Sequence, residues 1–394
     1  MEPLKDTRSY RISSIDFLRG LVIVIMAIDH VRDFFMAGGI QDPMAQPDVP
    51  LGLYLTRWVT HFCAPVFVLL AGTSAGLMTK RKTSKELGIF LFKRGVWLIF
   101  VEIFIINSIV TFWASDVLGI PGIGIGMQVI WAIGGSMVVL SVAQLMGRKL
   151  VLILGILIIT LSYLLNFIWP PFGIDVPFWV GLYTQSATQV GPFTFIYVYP
   201  LLPWIGVMFL GFGSSSIFNL TPSERKSTLI KTGTIMLIAM LVLRLFDIYG
   251  EPNHWQWHVL GLKATILDFM NLTKYPPSLL FIMATLGPMA ILCAYAENFK
   301  GWINDTMVIF GRVPFFFYVA HFALIHALSI LYGMTQGYEA NQFFTIFMNY
   351  PEGYGTGLGG VYLVWILVLI ILYPACRWMA QIKRNRKDWW LSYV

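Results

Sequence analysis

Long apolar segments separated by short polar connections dominate the sequence. Ten such segments can be drawn, each close to or above the roughly 20 residues that a helix needs to cross a bilayer. They run over residues 15–36, 54–78, 88–113, 127–146, 150–169, 199–218, 228–246, 276–297, 307–332 and 358–378. The pattern predicts an all-α polytopic membrane protein, with a single bundle of about ten transmembrane helices. We interpret the whole chain, 1–394, as one integral-membrane domain.

Composition agrees with this pattern. Of the 394 residues, 57% are apolar and 12% are charged, whereas a soluble domain carries about 25% charged residues. The first apolar segment is long, contains charges and has no small-residue cleavage site after it, so no cleavable signal peptide is predicted. Cys63, Cys293 and Cys376 lie in separate apolar segments without metal-type spacing. Neither a disulfide framework nor a metal site is therefore predicted.

Basic residues concentrate in the N-terminus, in every second connection and in the C-terminal tail. They are Lys5, Arg8 and Arg11; Lys80, Arg81, Lys82 and Lys85; Arg148 and Lys149; Arg225, Lys226 and Lys231; Lys300; and Arg377, Lys383, Arg384, Arg386 and Lys387. The other connections carry Arg57, Lys263, Lys274 and almost nothing else. By the positive-inside rule this alternation predicts that both termini are cytoplasmic. It also accounts for the net charge of +7 without a nucleic-acid partner. We interpret the basic tail, 377–394, as an anchor on anionic membrane lipids.

The first apolar segment carries ionisable residues on one face. At about 100° per residue, six side chains fall in one stripe roughly 100° wide, which we call the first-helix stripe. It consists of Asp16, Arg19, Ile23, Met26, His30 and Asp33. Arg19 and His30 lie about 16 Å apart along the helix axis. Charges at membrane depth usually turn towards a polar cavity, which makes these residues functional candidates. The alternative is an interfacial Arg19 and a His30 that is satisfied by a neighbouring helix.

Several motifs resemble those of a known family. Arg11-x-x-Ser14-x-Asp16-x-x-Arg19-Gly20, with His30 at the Arg-x10-His position, is similar to the opening signature of the transmembrane acyltransferases. It looks most like the bacterial relatives of heparan-α-glucosaminide N-acetyltransferase. THFCAPVFVLLAGTSAG from Thr60, YPLLPWIGVMFLGFG from Tyr199 and FGRVPFFFYVAH from Phe310 resemble later family motifs. The resemblance covers nearly the whole chain, and the signature region is 11–76.

The resemblance implies acyl transfer from a coenzyme A thioester to a sugar. His30 would be the catalytic base, with Asp33 one turn beyond it to orient the imidazole. The animal branch places its histidine after the first helix, but Ala37 to Thr60 contains none, so His61 is the alternative base. His321 matches the late Tyr-x-x-His motif with Tyr318.

Four basic residues near the predicted cytoplasmic helix ends are candidates for the coenzyme phosphates. They are Arg19, Lys93, Arg94 and Arg312. Lys93 and Arg94 stand where the family has a basic pair, although the full Arg-x-x-Arg is not present. Ordinary snorkelling at the membrane interface is the alternative interpretation for Lys93, Arg94 and Arg312.

The outer connections offer weaker candidates. Asp175, Asp247, Glu251 and Asp268 are near enough to contact an acceptor, and the sequence does not rank them. The glycine-rich run from Gly119 to Gly126 follows no predicted strand, so we interpret it as a loop and not as a nucleotide site. Small residues from Ala71 to Gly76 predict close helix contact.

We therefore expect a multi-pass acetyltransferase of a bacterial cytoplasmic membrane. It would take acetyl from cytoplasmic acetyl-CoA, as co-substrate, and pass it to a glycan or other small polar acceptor at the outer face. The alternative is a proton-coupled secondary transporter with His30, His321 and inward carboxylates as a relay. The two halves show no matching pair of interrupted helices, which argues against a transporter. A non-catalytic scaffold leaves the first-helix stripe unexplained. Acceptor identity, O- versus N-acylation and the presence of a homo-oligomer stay open.

Overall fold

Helices build nearly all of the molecule. The computed structural model describes residues 12–38, 43–45, 48–115, 122–168, 172–174, 176–386 and 388–393. Helix accounts for 73% and strand for 6%, which confirms the all-α class. Eight helical stretches of the described chain are long and apolar enough to cross a membrane. They are Leu51–Met78, Val129–Met146, Arg148–Leu165, Leu201–Asn219, Pro222–Phe246, Leu279–Ala296, Pro314–Thr335 and Leu358–Asn385.

Two further helical rods have the length to cross. The first is Ser13–Phe35, which is 23 residues long and carries charged side chains at both ends. The second begins as Ser84–Phe100, continues through a π-helical stretch at Val101–Ile106 and ends as Asn107–Thr111. With these two rods, each of the ten predicted segments corresponds to helix.

The α-helices are numbered in chain order. They are α1 (Ser13–Phe35), α2 (Leu51–Thr60), α3 (Cys63–Met78), α4 (Ser84–Phe100), α5 (Asn107–Thr111), α6 (Val129–Ala143), α7 (Arg148–Leu161), α8 (Leu201–Ser214), α9 (Pro222–Phe246), α10 (Leu262–Phe269), α11 (Leu279–Ala296), α12 (Trp302–Arg312), α13 (Pro314–Thr335) and α14 (Leu358–Asn385).

One predicted segment, 307–332, is divided between two helices. It begins in α12, which ends at Arg312, and continues in α13, which starts at Pro314. Val313 between them has φ −131° and ψ 45°, outside the helical region. The ring of a proline disfavours the helical conformation for the residue before it, which explains the break. The break places Arg312 at a helix end.

A small sheet lies beside the helices. Its strands are β1 (Ile123–Met127), β2 (Phe172–Ile174), β3 (Gln185–Val190) and β4 (Phe193–Tyr197), in the order β1-β4-β3-β2. β1 and β4 are parallel, β3 and β4 antiparallel, and β2 and β3 parallel. The loop interpretation of the glycine-rich run is wrong for residues 123–126, which belong to β1; residues 119–121 lie outside the described chain. Glycine is depleted in strands, and the partner strand is distant in sequence, so local composition did not reveal β1.

Glycines allow the helices around α1 and α3 to touch backbone to backbone. A Cβ atom at Gly20 would lie 1.7 Å from Met307 O, and one at Gly311 would lie 1.8 Å from Asp16 O. The predicted close contact in α3 is confirmed, because a Cβ at Gly72 would lie 2.1 Å from the carbonyl oxygen of Met208 in α8. Only glycine fits at these crossings without displacing a helix.

The basic residues meet at one face of the bundle. α1 begins at this face, which we name the Arg19 face, and ends at the opposite one, the His30 face. Arg148 donates to Gly76 O at 2.9 Å, at the end of α3. Lys383 Nζ lies 3.5 Å from Arg312 O, which joins the end of α14 to the end of α12. Lys5, Arg8, Arg11 and Lys387 are outside the described residues.

The bundle predicts that two exposed connections lie on opposite sides of the membrane. Lys85, exposed in the first turn of α4, belongs to the Arg19 face, whereas Val259, fully exposed between α9 and α10, belongs to the His30 face. In sealed vesicles, an impermeant thiol reagent should label Lys85→Cys and Val259→Cys from opposite sides. The native cysteines are buried, so the unsubstituted protein serves as background. Labelling of both positions from one side would contradict the topology.

Candidate active site

Two cavities adjoin α1, one at each face of the bundle. The His30 cavity has a volume of about 640 Å³ and the Arg19 cavity about 860 Å³. Three apolar residues line both cavities, and the two cavities therefore meet at their level in the bundle. These residues are Met26, Phe67 and Val129, which we call the septum. All six residues of the first-helix stripe line one cavity or both, so the stripe faces the two cavities and not the membrane.

The Arg19 cavity is strongly basic. Among the described residues that line it, six basic side chains accompany two carboxylates, Asp16 and Asp388. The basic residues are Arg19, Arg81, Arg94, Arg312, Lys383 and Arg386. A cleft lined mainly by one sign of charge between low-dielectric walls attracts ions of the opposite sign. The arrangement suits a multiply charged anion such as a phosphate ester.

Asp16 holds two of these arginines in place. Arg19 Nη1 lies 3.5 Å from Asp16 Oδ1, and Arg312 Nε lies 3.9 Å from Asp16 Oδ2. Arg19 also donates to Leu70 O at 3.3 Å and to Ser74 Oγ. The close crossing of α1 and α12 brings Arg312 to Asp16, while α3 supplies the two other acceptors. Arg19 is therefore oriented by acceptors on α1 and α3, with part of its side chain facing the cavity.

The predicted phosphate residues differ in position. Arg19, Arg94 and Arg312 line the Arg19 cavity, whereas Lys93 is exposed and is not among the lining residues. Sequence reasoning assigned Lys383 and Arg386 to a lipid anchor, but both line this cavity. No local signal could have revealed this, because it depends on where the end of α14 packs.

His30 is half-buried in the wall of the His30 cavity. Its ring lies 4.2 Å from the ring of Phe322 and 5.2 Å from that of His321, between ring centroids. Within the described chain, neither ring nitrogen of His30 forms a hydrogen bond. Both nitrogens are therefore available to a molecule in the cavity.

The carboxylates next to His30 are paired with arginines. Asp29 lies 2.9 Å from Arg32 Nη2 and 2.8 Å from Arg57 Nη1. Asp33 accepts from Arg32 at 2.8 Å. Asp33 was expected to orient His30, but no hydrogen bond joins these two side chains in the described structure. The network instead connects the end of α1 to α2.

The other candidate histidines, His61 and His321, are not among the residues that line the two cavities. His321 is fully buried, and its Nδ1 lies 3.0 Å from Phe317 O, one helical turn earlier. A carbonyl oxygen only accepts, so Nδ1 carries the proton and Nε2, which has no partner in the described chain, is the basic nitrogen. His61 is buried with its ring 5.2 Å from that of Phe281. Of the described histidines, His30 is the one that lines a cavity.

The four acidic candidates predicted in the outer connections are not found in the described lining of the His30 cavity. Asp247 pairs with His254 at 2.6 Å and Asp268 with His258 at 3.1 Å. Neither they nor Glu251 is among the described residues that line the His30 cavity, and Asp175 is outside the described chain.

Several polar residues of the His30 cavity were not predicted. Lys274, Tyr275 and Tyr199 line it, and Tyr275 OH donates to Tyr199 OH at 3.2 Å. One signal for Lys274 was present in the sequence: it is a basic residue in a connection that the charge alternation leaves nearly free of them. Tyr199 and Tyr275 carried no such signal.

The Asp29 network predicts a measurable contribution to stability. Asp29→Asn removes the charge that two buried guanidinium groups share, and breaking a buried ion pair costs about 3–5 kcal/mol. We expect a clear decrease in the thermal unfolding midpoint of detergent-solubilised protein. Glu297→Gln, which breaks the more exposed Arg225–Glu297 pair, is the matched control, with an expected cost under about 1 kcal/mol. Equal decreases in the thermal midpoint of the two variants would show that the ion pairs of Asp29 stabilise the fold no more than the Arg225–Glu297 pair does.

Comparison with known families supplies an independent observation. Residues 11–244 match the family model described as "Heparan-alpha-glucosaminide N-acetyltransferase, catalytic". The matched region covers more than half of the chain and includes Arg19, His30, His61 and Arg94. It ends before Lys274, Arg312 and His321. No curated protein matches the chain.

Proposed function

The chain belongs to the heparan-alpha-glucosaminide N-acetyltransferase catalytic family, and we propose that it transfers acetyl from acetyl-CoA to a glycan or other hydroxyl or amine acceptor. Family membership implies an acyltransferase held in a membrane. The observation that supports the donor and the acceptor sites is the pair of cavities that meet at the septum. One cavity is basic, and the other contains a histidine without a hydrogen-bond partner in the described chain.

The donor would occupy the Arg19 cavity. Guanidinium groups bind phosphate oxygens through two parallel hydrogen bonds, and Arg19, Arg94 and Arg312 all line this space. With its phosphates at these residues, acetyl-CoA would extend its pantetheine arm towards the septum. Arg19 and His30 are about 16 Å apart along α1, so a long and flexible donor is needed to connect them.

The acceptor would occupy the His30 cavity. Its hydroxyl or amine attacks the thioester carbonyl carbon while His30 takes the proton from the attacking atom. The bond between carbonyl carbon and sulfur then breaks, and the departing thiolate of coenzyme A takes up the proton from the imidazolium. His321 would position the ring of His30, which it contacts, without touching the reacting atoms.

The orientation follows from the charges of the connections. The Arg19 face carries most of the basic residues, so we infer that it is cytoplasmic, in the cytoplasmic membrane of a bacterium. Acetyl-CoA then enters from the cytoplasm and the acceptor is modified on the opposite side. In the labelling experiment above, Lys85→Cys would react from the cytoplasmic side; reaction from the outside would reverse this orientation.

The first functional prediction concerns His30. His30→Ala should reduce transfer by roughly 10²–10⁴-fold, as the loss of a general base does, while the protein still folds. His61→Ala is the matched control and should keep most of the activity, because His61 packs against Phe281 and is not among the residues that line either cavity. Transfer would be measured with radiolabelled acetyl-CoA and an envelope-glycan extract. An active His30→Ala together with an inactive His61→Ala would move the base to His61.

Rapid quenching after mixing with labelled acetyl-CoA alone distinguishes two routes. Label retained on His30 indicates an acyl-histidine intermediate, in which the ring nitrogen itself attacks the thioester and coenzyme A leaves before the acceptor reacts. No retained label indicates direct attack by the acceptor in a ternary complex.

The second functional prediction concerns donor binding. Arg19→Ala should weaken acetyl-CoA binding by roughly 10–100-fold, because a hydrogen bond to a charged group contributes about 1.5–3 kcal/mol. Arg19→Lys should retain part of the affinity, since the charge stays but the planar fork is lost. Lys93→Ala, on the exposed side of the same helix as Arg94, is the control and should bind normally. Unchanged affinity in a folded Arg19→Ala would show that Arg19 serves only to pair with Asp16.

A further inference from the structure

The septum is built from side chains of three different helices. Met26 belongs to α1, Phe67 to α3 and Val129 to α6, and all three line both cavities. Met26 and Val129 are buried and Phe67 is half-buried. The two cavities are separate spaces, so little free volume remains between these side chains. An acyl group that moves from the Arg19 cavity to the His30 cavity must pass them.

The part of α1 that carries Met26 is held by two other helices. The thiol of Cys63 in α3 donates to Val22 O at 3.2 Å. The indole N–H of Trp365 in α14 donates to Val24 O at 2.9 Å. Both acceptors lie within one helical turn before Met26. A shift of α1 at this level would break both hydrogen bonds in the bilayer interior, where no water replaces them.

The position of Val129 is fixed by a buried carboxylate. Val129 is the first residue of α6, and the first backbone N–H groups of a helix have no partner within it. Glu102 is fully buried in the π-helical stretch, and its carboxylate accepts from the backbone N–H of Trp131 at 2.8 Å. An ionisable group at this depth is costly. Its hydrogen bond fixes where α6, and with it Val129, begins.

The part of α3 that carries Phe67 is also held by its neighbours. α3 crosses α8 so closely that a Cβ atom at Gly211 would lie 2.0 Å from Leu69 O. Arg19 donates to Leu70 O at 3.3 Å. Both carbonyls lie within one turn of Phe67. All three septum residues therefore stand on fixed backbones, and such a site does not accommodate added methylene groups without strain.

We propose that the septum determines which acyl group is transferred, with Phe67 and Val129 excluding acyl chains longer than acetyl. The inference rests on the proposed function, because it takes the acyl group through the septum to the His30 cavity. The side chain of Met26 adapts its shape readily, so the two stiffer side chains set the limit. The coenzyme part of the donor is the same for every acyl group and would bind in the Arg19 cavity. The septum therefore acts on transfer and not on donor affinity.

The test compares acetyl-CoA with butyryl-CoA, which is two methylene groups longer. Each donor is radiolabelled in its acyl group, and kcat/KM is measured with the detergent-solubilised full chain and the envelope-glycan extract. We expect the wild type to favour acetyl by at least about 100-fold, since one methylene changes kcat/KM by about 10–200-fold in an apolar site. Phe67→Ala should lower this ratio at least about tenfold, and Val129→Ala, a smaller truncation, should lower it less. The affinities for the two donors should stay nearly equal in all three proteins.

Phe212→Ala and Val207→Ala control for a loss of selectivity that any cavity in the core would cause. Both residues are buried in α8 and are not among the described residues that line either cavity. These variants should lower the thermal midpoint and keep the wild-type ratio. A fall in the ratio as large in Phe212→Ala as in Phe67→Ala would overturn the inference.

Two further outcomes separate this inference from the proposed function. Equal transfer of acetyl and butyryl by the wild type would overturn the inference and leave the acyltransferase function in place, as would a ratio unchanged in both Phe67→Ala and Val129→Ala. A wild type that transfers neither acyl group would remove the proposed function and the inference with it.

Discussion

Neutralisation of charge on one membrane-crossing helix is the constraint on which the rest of the structure depends. α1 carries carboxylates near both ends, and each is paired within the described structure: Asp16 with Arg19 and Arg312, and Asp29 with Arg32 and Arg57. Ion pairs of this length require close backbones, and Gly311 supplies that closeness, since a Cβ there would meet Asp16 O at 1.8 Å. The close approach at Gly311 and the ion pair between Asp16 and Arg312 therefore both belong to the interface between α1 and α12.

The septum lies between the Arg19 cavity and the His30 cavity. Its apolar character favours transfer of an acyl group over transport of protons or ions. A proton relay needs polar groups or water at every level, whereas Met26, Phe67 and Val129 form an apolar level between the cavities. His321, the second member of the suggested relay, uses Nδ1 for a hydrogen bond inside its own helix. A thin apolar level is compatible with a slender acyl chain and disfavours the passage of ions.

Sequence periodicity predicted the face of α1 because a straight helix keeps about 100° per residue over its length. It did not separate His30 from His61, since the direction of the His61 ring depends on packing against Phe281, far along the chain. Long-range packing also explains the unpredicted β1, whose partner strand is β4. The same reason applies to Arg386, which sequence reasoning placed on lipid and which lines the Arg19 cavity. Local sequence patterns predict which side of a helix faces the cavities. Contacts between residues that are distant in sequence determine which side chains lie next to one another.

Exceptions to the charge alternation mark residues that topology does not explain. The sequence analysis assigned three basic residues, Arg57, Lys263 and Lys274, to the connections where the rule predicts few. Lys263 is exposed, and Arg57 is paired with Asp29, so neither needs a further explanation. Lys274 is buried in the wall of the His30 cavity, and its charge acts on both Asp29 and His30. The position of Lys274 is therefore explained by the electrostatics of the cavity and not by membrane topology.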